Sequence, residues 1–341
     1  MKIALIADPE LPVPPLLYGG IERIIAMLID GYINLGHEVS LFAHAASVTP
    51  AKLIPYKGAS SGNKIDVIRN SWLINKELFS NKYDIVHSFG RLAYLLPQLP
   101  LGIPKLMSYQ REPSISQIKK AIKLAKHNTL SFTGCSAYIS NQIADYAAAY
   151  PIFNGVDLKV YNFKPEIADN APLVFLGRIE PIKGAHIAIE IARKTKKKLI
   201  IAGNIPPEYQ QYYDDKIRPE LDDQITHIGP VNDVEKNKLL GNALAFLMPI
   251  EWNEPFGIVM AEAMACGTPV IGFNRGSVPE VVINGLNGFR CSSTEEMISS
   301  VFKINEIDRQ KVRQDCELRF SSQVIVSQYL NLYRKLIGQN N

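Results

Sequence analysis

With 341 residues, 47% apolar and 21% charged, the chain exceeds one comfortable core and is neither disordered nor fibrous in composition; at about 150 residues per domain it should form two domains with a cleft. Its 37 basic and 33 acidic residues leave a net charge of +4, too small to argue for nucleic acid as a partner. The cysteines Cys135, Cys266, Cys291 and Cys316 have no C-x-x-C spacing and point to neither a zinc site nor a disulfide framework. The first apolar run is broken by Asp8 and Pro9, and no apolar stretch reaches a membrane-spanning length, so a cytoplasmic chain is expected.

Short β-branched runs alternate with amphipathic stretches, the pattern of βαβ units and parallel sheets. In the first half, strands are predicted over 2–7, 38–44, 84–89, 104–110 and 130–136, with a helix over 20–36. Gly19 and Gly20 open that helix, where bare backbone lets an anion approach. No G-x-G-x-x-G occurs, so a dinucleotide cofactor is not expected. His87 closes the third strand, either as a satisfied core histidine or as a ligand-facing group. Tyr109, Gln110 and Arg111 stand at the end of the fourth, where a second ligand would be lined. The segment 117–127 spaces Ile118, Ile122 and Ala125 opposite its lysines, fitting either peripheral contact with an anionic membrane or an ordinary solvated face.

A polar stretch with two prolines, 157–172, is the linker, and strands resume over 172–179, 197–203, 225–231, 243–249 and 268–273. Arg178 ends the first of these and Lys183 stands five residues later in the connecting loop, where a ligand phosphate would meet a guanidinium fork and a point charge; surface charge is the alternative. The stretch "NEPFGIVMAEAMACGTP" then carries a helix opened by Gly257 and closed by Gly267 and Pro269. It is apolar on every side except at Glu262, so it is a buried helix whose carboxylate needs a partner, either a structural cation or the hydroxyls of a polar ligand. Glu254 stands eight residues earlier, a separation of about 12 Å along a helix, too wide for the roughly 5 to 5.5 Å carboxylate pair of a retaining hydrolase. Between them, the amides of Phe256, Gly257, Ile258 and Val259 form a helix N-terminus suited to an anion. The stretch 321–338 spaces Val324, Tyr329, Leu332 and Leu336 on one face and must pack on something.

With Glu254 and Glu262 read as an E-x7-E element, and with "YGGIERI", "DIVHSF", "NGVD", "GRIEPIKG" and "GSVPEVVINGLNGF", the chain resembles the family 4 retaining glycosyltransferases over nearly its whole length. The resemblance implies an α/β fold of GT-B architecture, two facing Rossmann-like domains with an interdomain cleft. Residues 1–163 would be the acceptor-side domain and 164–320 the nucleotide-sugar domain, with a terminal helix over 321–341 packing back on the first. It implies that Arg178 and Lys183 bind the donor diphosphate, that Glu254 and the amides after it hold the transferred sugar, and that Glu262 takes the ribose hydroxyls. Val231 would touch the base, His87 would sit by the donor sugar, and Gly19 and Gly20 would border the phosphates. The expected reaction is retaining sugar transfer, with no metal and no cofactor, from a nucleotide-sugar, UDP ahead of GDP, to a glycan or lipid-linked acceptor in envelope or exopolysaccharide assembly. A catalytically silent nucleotide-sugar sensor and an epimerase on the same fold are the alternatives.

Overall fold

In a computed structural model the described residues are 1–16 and 19–339; Tyr18 of "YGGIERI" and the last two residues of the expected terminal segment lie outside them. The chain divides into two compact units, Met1–Gly155 with Ser322–Asn341, and Val156–Ser321. Each is built on one parallel sheet.

The first sheet contains β1 (Lys2–Ile6), β2 (Glu38–Ala43), β3 (Lys52–Pro55), β4 (Ile85–Ser88), β5 (Lys105–Tyr109), β6 (Leu130–Gly134) and β7 (Ala149–Pro151) in the order 3-2-1-4-5-6-7. Its crossovers are made by α1 (Gly20–Asn34), α2 (Lys64–Ser80), α3 (Ile115–Leu124) and α4 (Ala137–Ala144), with a 3-10 turn over Leu92–Gln98. Ile3–Ile6 of β1 and all four residues of β4 are fully buried, as strands covered on both faces should be. β3 and β7 were not anticipated from the sequence. Both are edge strands of four and three residues that end on a proline, too short to show a periodic signal.

The second sheet repeats the plan with β8 (Leu173–Leu176), β9 (Leu199–Ala202), β10 (Ile225–His227), β11 (Ala245–Met248), β12 (Val270–Phe273) and β13 (Gly288–Cys291), in the order 10-9-8-11-12-13. Around it lie α5 (Ala185–Thr195), the single turn α6 (Gln210–Tyr212), α7 (Asp233–Gly241), α8 (Ile258–Ala265), the short α9 (Val278–Val281), α10 (Thr294–Lys303) and α11 (Arg309–Phe320). α7 begins with a capping box in which Asn232 and Glu235 satisfy each other's amides.

α12 (Ser322–Gly338) returns to the first unit and buries Ile325, Val326, Tyr329, Tyr333 and Leu336. The hydroxyls of Tyr333 and Tyr32 of α1 lie 3.0 Å apart. The division between units falls at 155/156, ahead of the expected 163/164. Residues just past it are tied to the second unit: the Val156 amide donates to the Phe320 carbonyl at 2.8 Å, and the Arg313 guanidinium donates to the Tyr161 carbonyl at 2.8 Å.

The lysine-rich segment is corrected as a lipid-inserting face. α3 buries Ile118 completely, leaves Ala121 at 1% exposure and half-buries Ile122 and Ala125, so the expected apolar side packs inward, and Leu124, 57% exposed, faces solvent with the lysines.

Candidate active site

In both sheets the strand order reverses between two neighbours, β1 and β4 in the first, β8 and β11 in the second; loops leaving such strands diverge and open a crevice at their carboxyl ends. In the second unit those two loops carry the predicted residues. The loop after β8 brings Arg178 and Lys183, and the loop after β11 brings Trp252 and Glu254 to the start of α8.

Lys183 and Glu254 meet there. The ammonium donates to Glu254 Oε2 at 2.8 Å, and the Trp252 indole N–H donates to the same oxygen at 2.9 Å. The ammonium also lies 4.7 Å from the centre of the Trp252 ring. Backbone geometry holds the carboxylate in place. Gly276 has φ +56°, and a Cβ there would stand 2.4 Å from the Glu254 carbonyl oxygen, while the next amide, of Ser277, donates to that oxygen at 2.9 Å. Gly257 enters α8 in the left-handed region, with φ 70°. The first amides of α8 have no partner within the helix and concentrate its dipole beside this pair. Phe256 contributes only backbone, because its ring is 2% exposed and stands edge-on to Phe320 at 5.8 Å.

Arg178 is not part of that pair. It forms an ion pair with Glu180 at 2.9 Å and keeps 40% of its side chain exposed.

Glu262 has a structural partner, which corrects the expectation that the nucleotide alone meets it. The Lys236 ammonium on α7 donates to Glu262 Oε1 at 2.5 Å, and the Tyr161 hydroxyl donates to the same oxygen at 2.6 Å. Lys236 also lies 5.3 Å from the Tyr161 ring centre and 3.4 Å from Asp233. The other oxygen, Oε2, is buried and has no hydrogen-bond partner among the described residues. Val231, expected to touch the base, is half-buried just ahead of α7, the helix that carries Lys236.

Three signals escaped sequence reading: Trp252, Lys236 and Tyr161. Trp252 was legible in principle, two residues before Glu254 in "EWNEPF". Lys236 and Tyr161 were not, since each lies far from Glu262 in sequence and reaches it only through packing of α7 and the linker.

In the first unit, His87 is corrected. It is fully buried, with Nδ1 2.5 Å from the Tyr333 hydroxyl and Nε2 2.6 Å from Ser108 Oγ, and burial lowers its pKa to about 3. Both nitrogens are engaged inside the unit, so the ring is a neutral structural link between β4, β5 and α12. Gly19 and Gly20 start α1, but their surroundings are acidic. Glu22 in the first turn has its pKa raised chiefly by burial and further by Asp8 and Glu10, and Asp8 is raised to about 6, again chiefly by burial. The Glu22 carboxylate lies beside Gly19, where a Cβ would stand 2.8 Å from its Oε2, and Arg23, Arg91 and Arg111 act on these carboxylates in the opposite sense. Tyr109 is 8% exposed and stacked on Phe132, a core residue. Gln110 accepts from Asn154 Nδ2 at 2.7 Å, and Arg111 is exposed, with its charge felt at Asp8.

Two family models match in tandem, Glycosyltransferase Family 4 over residues 18–160 and Glycosyl transferases group 1 over 160–317. Spore coat protein SA of Bacillus subtilis is 25% identical across 98% of this chain and 100% of its own length. AviGT4, a glycosyltransferase involved in avilamycin A biosynthesis, superposes with a TM-score of 0.71 at 25% identity, over 99% of this chain and 98% of its own. HepE of Anabaena, solved in complex with UDP, superposes with a TM-score of 0.77 at 19% identity, over 98% of this chain and 100% of its own. The two parallel-sheet units are those of the GT-B fold, and the chain belongs to the family 4, group 1 glycosyltransferases.

Proposed function

We propose that this glycosyltransferase moves a sugar from a UDP-sugar to a hydroxyl acceptor, with retained anomeric configuration and no metal ion, in assembly of an envelope or exopolysaccharide glycan on the cytoplasmic side. The observation that carries the reading is the Lys183–Glu254 pair at the amino end of α8, where a cation, a carboxylate and helix amides converge. In the reaction, the bond from the sugar anomeric carbon to the β-phosphate oxygen breaks and its electron pair stays on the nucleotide diphosphate. The acceptor oxygen bonds the same carbon from the same face, and its proton passes to the departing phosphate oxygen.

Charge grows on the leaving group, so fixed cations and amides aimed at it lower the barrier, each such donor contributing about 10²- to 10³-fold in rate. Lys183 exchanges Glu254 for the diphosphate, which releases the carboxylate to accept from sugar hydroxyls. Arg178 shares the diphosphate charge from the same loop. Glu262 Oε2, buried and unpartnered among the described residues, accepts from a ribose hydroxyl. The UDP complex of the HepE neighbour supports the choice of nucleotide, and AviGT4, a glycosyltransferase, supports sugar transfer.

The test is release of free nucleotide from UDP-, GDP-, ADP- and TDP-sugars without added metal, wild type against Glu254→Gln. Slow release from UDP-sugars, reduced at least tenfold in the variant, is expected. Tight binding of a donor with no release, even with oligosaccharide and lipid acceptors supplied, would make the chain a sensor and overturn the reading.

A further inference from the structure

α2 is built the wrong way round for a helix that only covers its own sheet. Its inward side carries Asn70, fully buried, and Asn75, 6% exposed, beside Ile74 and Leu78. The amides do much of the docking: the Asn70 side chain pairs with both the N–H and the carbonyl of Gly58 at 2.9 Å, and Asn75 Oδ1 accepts from Gln98 Nε2 at 2.8 Å. The outward side carries Ile65 at 60%, Ile68 at 69%, Trp72 at 59% and Phe79 at 64% exposure. At 100° per residue these four fall within one sector of about 60°, and Lys76 and Arg69 lie along its edge. The Lys76 ammonium sits 5.1 Å from the Trp72 ring centre.

No carboxylate of α2 shares that sector. Asp66 lies to the side, accepting from the amides of Ala59 and Ser60 at 3.2 Å, and Glu77 Oε1 accepts from Lys52 at 2.6 Å. Four large apolar groups with cations and an interfacial tryptophan, spread over about 21 Å of helix, match a surface whose interior is apolar and whose rim is negative. A second copy of the same face fits poorly, since a symmetric pairing would bring Arg69 and Lys76 towards their own counterparts. Among the described residues no helix is long and apolar enough to cross a membrane, so attachment here would be in the plane of the surface.

We propose that α2 is a membrane-docking helix that lies on an anionic lipid surface, with Ile65, Ile68, Trp72 and Phe79 entering the headgroup boundary and Arg69 and Lys76 meeting lipid phosphates. The inference is independent of the sugar chemistry proposed above.

The experiment is co-sedimentation of the full chain with vesicles of phosphatidylcholine alone and of equal parts phosphatidylcholine and phosphatidylglycerol, at low and high salt. Wild type should bind the anionic vesicles at low salt and release at high salt. Arg69→Gln with Lys76→Gln should weaken partitioning by about fivefold per cation, and Trp72→Ser with Phe79→Ser should abolish it. A triple Lys119→Gln, Lys120→Gln, Lys123→Gln variant of α3 should retain more binding than the double charge variant of α2. Thermal unfolding by circular dichroism checks that each variant is folded, which surface positions should permit. Absence of wild-type binding at low salt overturns the proposal, as does equal binding by folded α2 variants. So does a concentration-dependent dimer that Trp72→Ser dissolves, which would assign the face to self-association.

Discussion

Acidification should loosen the first unit through His87, and the structure supplies the magnitude. The ring is fully buried with both nitrogens bonded, and its pKa falls from 6.5 to about 3 because burial penalises the imidazolium. The unfolded chain takes up a proton below about 6.5 while the folded one does not, so stability is full above that value and is lost as pH falls towards 3. Between pH 7 and pH 5 this single group should remove about 2 kcal/mol. Asp8 acts in the opposite sense. Its folded pKa, raised to about 6 by burial and by Glu10, lets the native state bind protons first and regain stability as pH falls through that range. The comparison must therefore be wild type against His87→Gln, in which Asp8 is common to both. Urea unfolding at the two pH values, with the first unit read by pulsed hydrogen exchange across β4 and β5, should show about 2 kcal/mol more acid loss in wild type. Equal losses in the two proteins would refute the reasoning and return His87 to the set of accessible groups.

Lys236→Met should strand the Glu262 carboxylate, which is 2% exposed, with only Tyr161 as a donor to it among the described residues. Uncompensated burial of that kind costs about 3 to 5 kcal/mol, read as a fall in melting temperature that Lys236→Met with Glu262→Met substantially restores. Lys183→Met should lower nucleotide release from the donor by about 10²-fold, with the fold intact by circular dichroism. Gly276→Ala should lose activity and about 1 to 2 kcal/mol of stability, because its methyl would meet the Glu254 carbonyl at 2.4 Å and its φ is +56°; stability equal to wild type by urea titration would contradict this.

Much of this molecule follows from local pattern. The central strands are runs of apolar residues, and the observed bounds fall within the predicted ones because burial on both faces of a parallel sheet demands them. The start and end of α8 were legible from Gly257, Gly267 and Pro269, whose backbone preferences act over a few residues. That the helix is buried, and that Glu262 therefore needs a partner, followed from its apolar surround. The loops carrying Arg178, Lys183 and Glu254 were legible for the same reason: each lies a few residues beyond a strand end.

What the sequence could not contain was the identity of partners brought together from afar. His87 reads as either core or ligand-facing until α12 returns through more than 200 residues to put Tyr333 against it. Glu262 reads as awaiting a ligand until α7 supplies Lys236 and the linker supplies Tyr161. The lysines of α3 and the apolar residues of α2 look alike on a helical wheel; only docking decides that Ile118 faces inward and Trp72 outward. Periodicity determines that a helix has two faces, and the tertiary structure alone decides which of them meets the core, because that choice depends on the hydrogen bonds and apolar surface the rest of the chain offers.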